Sequence, residues 1–160
     1  MSNQFGEIHR DRLLRLAEHL ERGRLSHEKF DYRYVHSCCG TSGCAIGEMP
    51  AIWPDRFYMR PYSTNYHTVY NQNGLHTYEA AAQFFAIPVE ESRFLFSSNY
   101  NNLDSCASKE EVAAHIRSFV TKKCLEVGIP ERDLPTHARL TQESLGVEAL
   151  CGKSEVVCTS

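Results

Sequence analysis

A histidine and three of the chain's seven cysteines lie within nine residues in the stretch HSCCGTSGCAIG, from His36 to Gly47. Thiol and imidazole groups are ligands for zinc, and a closed structural zinc site needs four of them. His36, Cys38 or Cys39, and Cys44 supply three such groups. No second closely spaced pair of cysteines or histidines supplies the fourth. We therefore expect no metal and no cofactor.

The same residues could form a thiol active site. Cys39 or Cys44 at a helix N-terminus would have its thiolate stabilised by the helix dipole and by free backbone N–H groups. A cysteine nucleophile also needs a base within hydrogen-bond reach, for which His36 and His67 are candidates. A cysteine-dependent hydrolase or transferase centred on this motif is therefore one functional hypothesis.

A structural interpretation of the motif is favoured over both. Its glycines permit a tight turn, Thr41 or Ser42 can cap the following helix, and cysteine packs as a small buried hydrophobe. The motif thus predicts a tight turn into a buried helix around Ala45. Because a helix start also presents N–H groups to anions, Thr41, Ser42 and Gly43 are candidates for binding a small anion or a nucleotide.

The segment Cys39-Gly-Thr-Ser-Gly-Cys-Ala-Ile-Gly47, followed by Trp53-Pro-Asp-Arg-Phe57, resembles a family of small bacterial and phage proteins. Its members share a Cys-Gly-Thr-x-x-Cys-x-x-Gly core. Further points of similarity are Phe30-Asp-Tyr32, Leu95-Phe96 and a capped helix at Ser108, so the resemblance covers roughly residues 7–126. It implies a fold unit and a bacterial or phage source, and it implies no reaction.

A second stretch, YMRPYSTNYHTVYNQNG, carries four tyrosines spaced every four residues and closes on Asn-Gln-Asn-Gly, a turn signal. In an extended hairpin this even spacing places all four on one face. Rigid tyrosines among adaptable Ser and Asn side chains are typical of recognition surfaces. The alternative is that the rings pack across the core with their hydroxyls outward. The candidate binding residues are Tyr58, Arg60, Tyr62, Tyr66, His67 and Tyr70.

Apolar residues at helical spacing predict helices around both stretches. These helices are expected at 7–22, 77–86, 89–97 and from Ser108 to about Gly128, where Ser108 and Glu111 have the spacing of a capping box. The predicted fold is mainly α: one compact helical domain with a short β-like or irregular insertion at about 57–74. Residues 1–130 would form this domain, and 131–160 would be an extension with a short helix and a frayed tail.

Composition excludes several classes of protein. The net charge of −3 gives no overall attraction for phosphate backbones, so we expect no general nucleic-acid binding. The early arginines alternate with acidic residues and predict a solvated helix face. No stretch approaches the roughly 20 apolar residues of a membrane span, and the first residues lack a signal-peptide pattern. We expect a cytoplasmic protein with reduced thiols.

The leading functional hypothesis is a non-catalytic protein-interaction module, a phage protein that acts on a host protein through the tyrosine-rich insertion. The expected partner is another protein, with no membrane involved. The cysteine-dependent enzyme and the small-anion or nucleotide binder are the alternatives.

Overall fold

The computed structural model describes residues 4–22, 25, 29–30, 36–37, 42–62, 64, 66–97, 103 and 107–131. This part of the chain contains five helices and five strands. In chain order they are α1 Glu7–Glu21, β1 Lys29–Phe30, β2 His36–Ser37, β3 Ser42–Gly43, α2 Ala45–Ile52, β4 Phe57–Pro61, β5 Tyr66–Asn71, α3 Thr77–Phe85, α4 Val89–Phe96 and α5 Lys109–Val127. The predicted mainly helical domain with a short β insertion is confirmed. The helix predicted at 140–150 lies outside the described residues.

Helices α1 and α5 pack against each other and form the largest helix pair of the core. The predicted stripe of α1 is fully buried at Leu13, Leu16, Ala17 and Leu20. Each buried leucine contributes roughly 1.5–3 kcal/mol, which far exceeds the intrinsic helix propensity of the segment. Residues at helical spacing in α5 are buried against it, namely Val112, Ile116, Phe119, Val120 and Cys124.

Both ends of α5 follow the predicted signals. The Glu111 N–H donates to Ser108 Oγ at 3.1 Å, and the Ser108 N–H donates to Glu111 Oε1 at 2.8 Å. This capping box satisfies two N–H groups that would otherwise lack partners. Gly128 ends the helix with φ +79°, a left-handed conformation that glycine adopts without strain.

The helix α2 that follows the cysteine motif is buried over most of its length, as predicted. The predicted cap is wrong, because the N-cap residue is Cys44 and no side chain caps it. Ser42 instead belongs to β3, and Thr41 lies outside the described residues. The motif also contributes strands β2 and β3, which the sequence did not predict because two-residue strands carry no periodic pattern.

The five strands form one sheet in the order β1-β3-β2-β5-β4. Strands β1 and β3 are parallel, and the remaining pairs are antiparallel. Strands β4 and β5 form the long hairpin of the insertion, from Phe57 opposite Asn71 to Pro61 opposite His67. The predicted Asn-Gln-Asn-Gly turn follows: Asn71 Oδ1 accepts the N–H groups of Asn73 and Leu75 at 2.9 and 3.0 Å.

The predicted solvated arginine face of α1 is wrong at Arg10. This side chain is fully buried, donating from Nη1 to the Pro130 carbonyl at 2.6 Å and from Nε to Asp11 at 3.0 Å. Arg10 therefore ties α1 to the chain just beyond α5. A buried guanidinium is stable only when such acceptors surround it, and the acceptor from Pro130 is remote in sequence.

Candidate functional site

The β4–β5 hairpin presents two faces of opposite character. Phe57 and Val69 point into the core and are 4% and 0% exposed. Successive residues of a strand point to opposite sides, so Tyr58 and its cross-strand partner Tyr70 point outward together. Tyr58 is 37% exposed, and Tyr62, just past the end of β4, is 52% exposed. The alternative that these tyrosines pack into the core is wrong for Tyr58 and Tyr62.

The outward side chains form a stack of rings with one cation. The Tyr58 and Tyr70 rings are 6.0 Å apart and nearly parallel at 16°. The Arg60 guanidinium lies 5.0 Å from the centre of the Tyr58 ring. The His76 ring lies 5.3 Å from Tyr70 and 5.5 Å from Tyr62, and so joins the two tyrosines. We call these five residues, Tyr58, Arg60, Tyr62, Tyr70 and His76, the tyrosine face.

His76 was not predicted from the sequence as part of this surface. It follows the Asn-Gln-Asn-Gly turn and pairs with Tyr70 as an isolated antiparallel bridge. Residues directly opposite in such a pair share a face of the sheet. The turn was recognised in the sequence, and a chain reversal there was the signal that could have placed His76 beside Tyr70.

A strained residue supports His76. Thr77 has φ +51°, which is rare for a β-branched residue and costs on the order of 1–3 kcal/mol. Its Oγ1 lies 2.6 Å from Thr68 Oγ1 and 3.1 Å from His76 Nδ1. Thr68 is 2% exposed, so these contacts fix the His76 ring against the buried part of β5. Such over-determined strain is typical of functional sites.

One predicted binding residue, His67, occupies a different position. His67 alternates with Thr68 along β5, so it lies on the side of the sheet opposite Tyr70, and its prediction as a neighbour on the recognition surface is wrong. It pairs instead with His36 of β2, which brings two candidate histidines into register on neighbouring strands. Tyr66 begins β5 opposite Ser37.

Within the cysteine motif, Cys44 has the properties of a structural thiol. It is 3% exposed, and burial raises its pKa to about 11, although backbone hydrogen bonds at Gly47 and Ile46 act in the opposite direction. A thiol with this pKa is almost entirely protonated near neutral pH, which disfavours it as a nucleophile. Cys39, the other candidate, lies outside the described residues.

The buried hydrogen bond beside this thiol was not predicted. Glu48, one turn after Cys44, is fully buried, and its Oε1 lies 2.8 Å from Nε2 of His19 on α1. An acidic residue inside the otherwise apolar sequence AIGEMPAI was the signal for such a partner. The pair links the motif helix to α1.

The anion site predicted at the start of α2 involves residues that precede the helix. Ser42 and Gly43 form β3, and Thr41 lies outside the described residues. In the segments that the structure describes, no group of three or more His, Cys, Asp or Glu side chains could hold a metal ion. None of the helices described is long and apolar enough to span a bilayer.

Comparison with protein-family models, with curated proteins and with solved structures finds no match for this chain. The resemblance to the family with the Cys-Gly-Thr-x-x-Cys-x-x-Gly core therefore stays a prediction.

Proposed function

We propose that this chain is a non-catalytic protein-interaction module that binds a partner protein through the tyrosine face. The observation that carries the proposal is that Tyr58 and Tyr62 are exposed and contact the half-buried rings of Tyr70 and His76, next to strained Thr77. A bacterial or phage source, with a host protein as the partner, is part of the proposal and rests on the resemblance of the motif.

The geometry suits binding because the rings are already ordered. Tyrosine offers a large amphipathic contact area with few rotatable bonds, so little entropy is lost when it is covered. The stacking of Tyr58 on Tyr70 and the cation–π contact of Arg60 restrict these side chains further before a partner arrives. Preorganisation of this kind increases affinity by lowering the cost of association.

Cys44 weakens the competing hypothesis of a cysteine-dependent enzyme. Its burial and raised pKa leave it inaccessible and protonated, and a substrate would have to displace the core packing around α2 to reach it. Tyr58 and Tyr62 are exposed on the outer side of a hairpin whose inner side packs into the core through Phe57 and Val69.

The test uses affinity-tagged protein with two substitutions, Tyr58→Ser and Tyr62→Ser. A matched control replaces two exposed residues of α5, Leu125→Ser with Val127→Ser, which are 78% and 43% exposed. Loss of central aromatic anchors commonly costs roughly 2–4 kcal/mol of binding free energy. A partner captured from bacterial lysate by the wild type and by the control should therefore be lost by the tyrosine variant, with all three melting within a few degrees of each other.

Two outcomes contradict the proposal. Capture at wild-type yield by the folded tyrosine variant would place the binding surface elsewhere. Unfolding of that variant would show that the two tyrosines serve the core, despite their exposure.

A further inference from the structure

Two arginines of α1 are held by the ends of two other helices. Arg12 Nη1 donates to the Phe84 carbonyl at 2.8 Å, and Arg15 Nη2 donates to the Ile52 carbonyl at 3.4 Å. These carbonyls belong to the last turns of α3 and α2, where backbone C=O groups lack helical partners. The bonds fix both guanidinium groups at one surface, because positions three apart lie on the same side of a helix.

Three guanidinium groups lie over two aromatic rings, those of Phe84 and Trp53. Arg12 is 4.1 Å and Arg56 is 5.6 Å from the centre of the Phe84 ring, and Arg15 is 5.6 Å from the Trp53 ring. The two rings contact each other edge to face at 4.8 Å. Two arginines of α1 and one arginine remote in sequence thus converge on one apolar surface.

These groups line a surface cavity of about 430 Å³, within the size range of small-molecule sites. We call it the arginine cavity; its lining residues are Ile8, Arg12, Arg15, Ile52, Trp53, Pro54, Asp55, Arg56 and Phe84. Its lining contains one acidic residue, Asp55, against three arginines.

The negative C-terminal ends of two helices offset part of this positive charge. Each helix C-terminus carries about half a negative charge, so the ends of α2 and α3 offset part of the charge of Arg15 and Arg12. Arg56 is exposed and takes part in none of the ion pairs within the described part of the chain. A helix-capping role therefore explains Arg12 and Arg15 and leaves Arg56 without an explanation.

A second cavity of about 180 Å³ adjoins the first and shares Arg12, Arg56 and Phe84 with it. Its other lining includes four amide side chains, those of Asn71, Gln72, Asn73 and Gln83. Asn71 and Asn73 each donate one amide hydrogen to Gln83 Oε1, and Gln72 donates one to the Asp55 carbonyl. Each of these three amide nitrogens has a second hydrogen, which suits hydroxyl-bearing or heterocyclic groups. Phe57 and Asn71 alternate with Tyr58 and Tyr70, so this site lies on the side of the hairpin away from the tyrosine face.

We propose that the two cavities bind a small phosphomonoester with a polar organic part, such as a sugar phosphate or a nucleoside monophosphate. Its phosphate lies among Arg12, Arg15 and Arg56, since guanidinium groups match phosphate oxygens in geometry and charge. Its organic part lies against the amide side chains. Ligand binding here involves no bond making or breaking.

The experiment is isothermal titration of the full chain with AMP, ribose 5-phosphate and inorganic phosphate. Arg56→Gln removes the charge that no helix end offsets, and Arg22→Gln is the matched control, an exposed arginine on α1 that lines neither cavity. At least one ester should bind saturably and more tightly than inorganic phosphate. Arg56→Gln should weaken this binding at least tenfold, which corresponds to about 1.4 kcal/mol, and Arg22→Gln should not.

The two esters separate the sources of the ligand. Binding of both supports recognition of the sugar phosphate, and binding of AMP alone supports a nucleotide. Absence of saturable binding by either ester, equal affinity for inorganic phosphate, or an Arg56→Gln variant that binds like the wild type would each overturn the proposal. Thermal melts of Arg56→Gln, expected to match the wild type, exclude unfolding as the cause of lost binding.

Discussion

Cys44 should be among the slowest thiols of this protein to alkylate. Burial raises its pKa from 9.0 to about 11, so at pH 7 the thiolate fraction falls from about one in a hundred to about one in ten thousand. A thiolate of higher pKa is intrinsically more nucleophilic, which recovers roughly tenfold. The pKa alone therefore slows the reaction by about one order of magnitude.

Access to the thiol slows the reaction further. At 3% exposure the sulfur can meet a reagent only when α2 opens locally. An opening free energy of about 3 kcal/mol reduces the reactive population by roughly 150-fold. Opening also returns the thiol to water and removes the pKa shift, so the opening step alone predicts alkylation on the order of 100-fold slower in the folded protein than in the unfolded chain.

The assay is timed iodoacetamide labelling at pH 7 with residue-specific mass spectrometry, since the chain has seven cysteines. The same protein in guanidinium chloride gives the unfolded rate for Cys44 itself and serves as the internal control. Labelling of folded Cys44 at the unfolded rate or faster would show that its thiol is neither inaccessible nor protected by burial. It would also restore the cysteine-dependent enzyme as a hypothesis.

The buried pair and the start of α1 give two further predictions. Glu48→Ala should lower the free energy of unfolding by about 1–3 kcal/mol, because it removes the hydrogen-bond partner of His19. Glu48→Gln retains a hydrogen bond and should cost less; urea midpoints measure both. His9 accepts the Gly6 N–H at Nδ1, and burial, then the charge of Arg12, lower its pKa below 6.5. The contribution of neutral His9 to stability is therefore present above pH 6.5 and is lost as the pH falls through the lowered pKa. The melting temperature of the wild type should fall relative to that of His9→Gln between pH 7 and 5. Parallel pH profiles of the two proteins would contradict this.

The helices were predictable from sequence because their signals are local. The apolar stripe of α1, the capping box at Ser108 and the Gly128 terminus each depend on residues within a few turns of one another. The common face of Tyr58 and Tyr70 was predictable for a similar reason, since even spacing fixes a side in any extended strand.

The remaining features depend on partners remote in sequence. Arg10 looked solvated because its acceptor at Pro130 lies 120 residues away. The Glu48 partner His19 is on another helix, and the arginine cavity joins the ends of two helices to a third. Two-residue strands such as β2 and β3 form because neighbouring strands supply their hydrogen bonds. Their own residues are too few to show a periodic pattern that would predict them.

The tyrosine face is tested most directly by site-specific photocrosslinking. In one variant a benzophenone amino acid replaces Tyr62, and in the control variant it replaces Leu125 of α5. Leu125 is 78% exposed and is therefore the more accessible of the two positions. We expect the partner captured by the wild type to crosslink from position 62 and not from position 125. Crosslinking of that partner from position 125 and not from position 62 would contradict it.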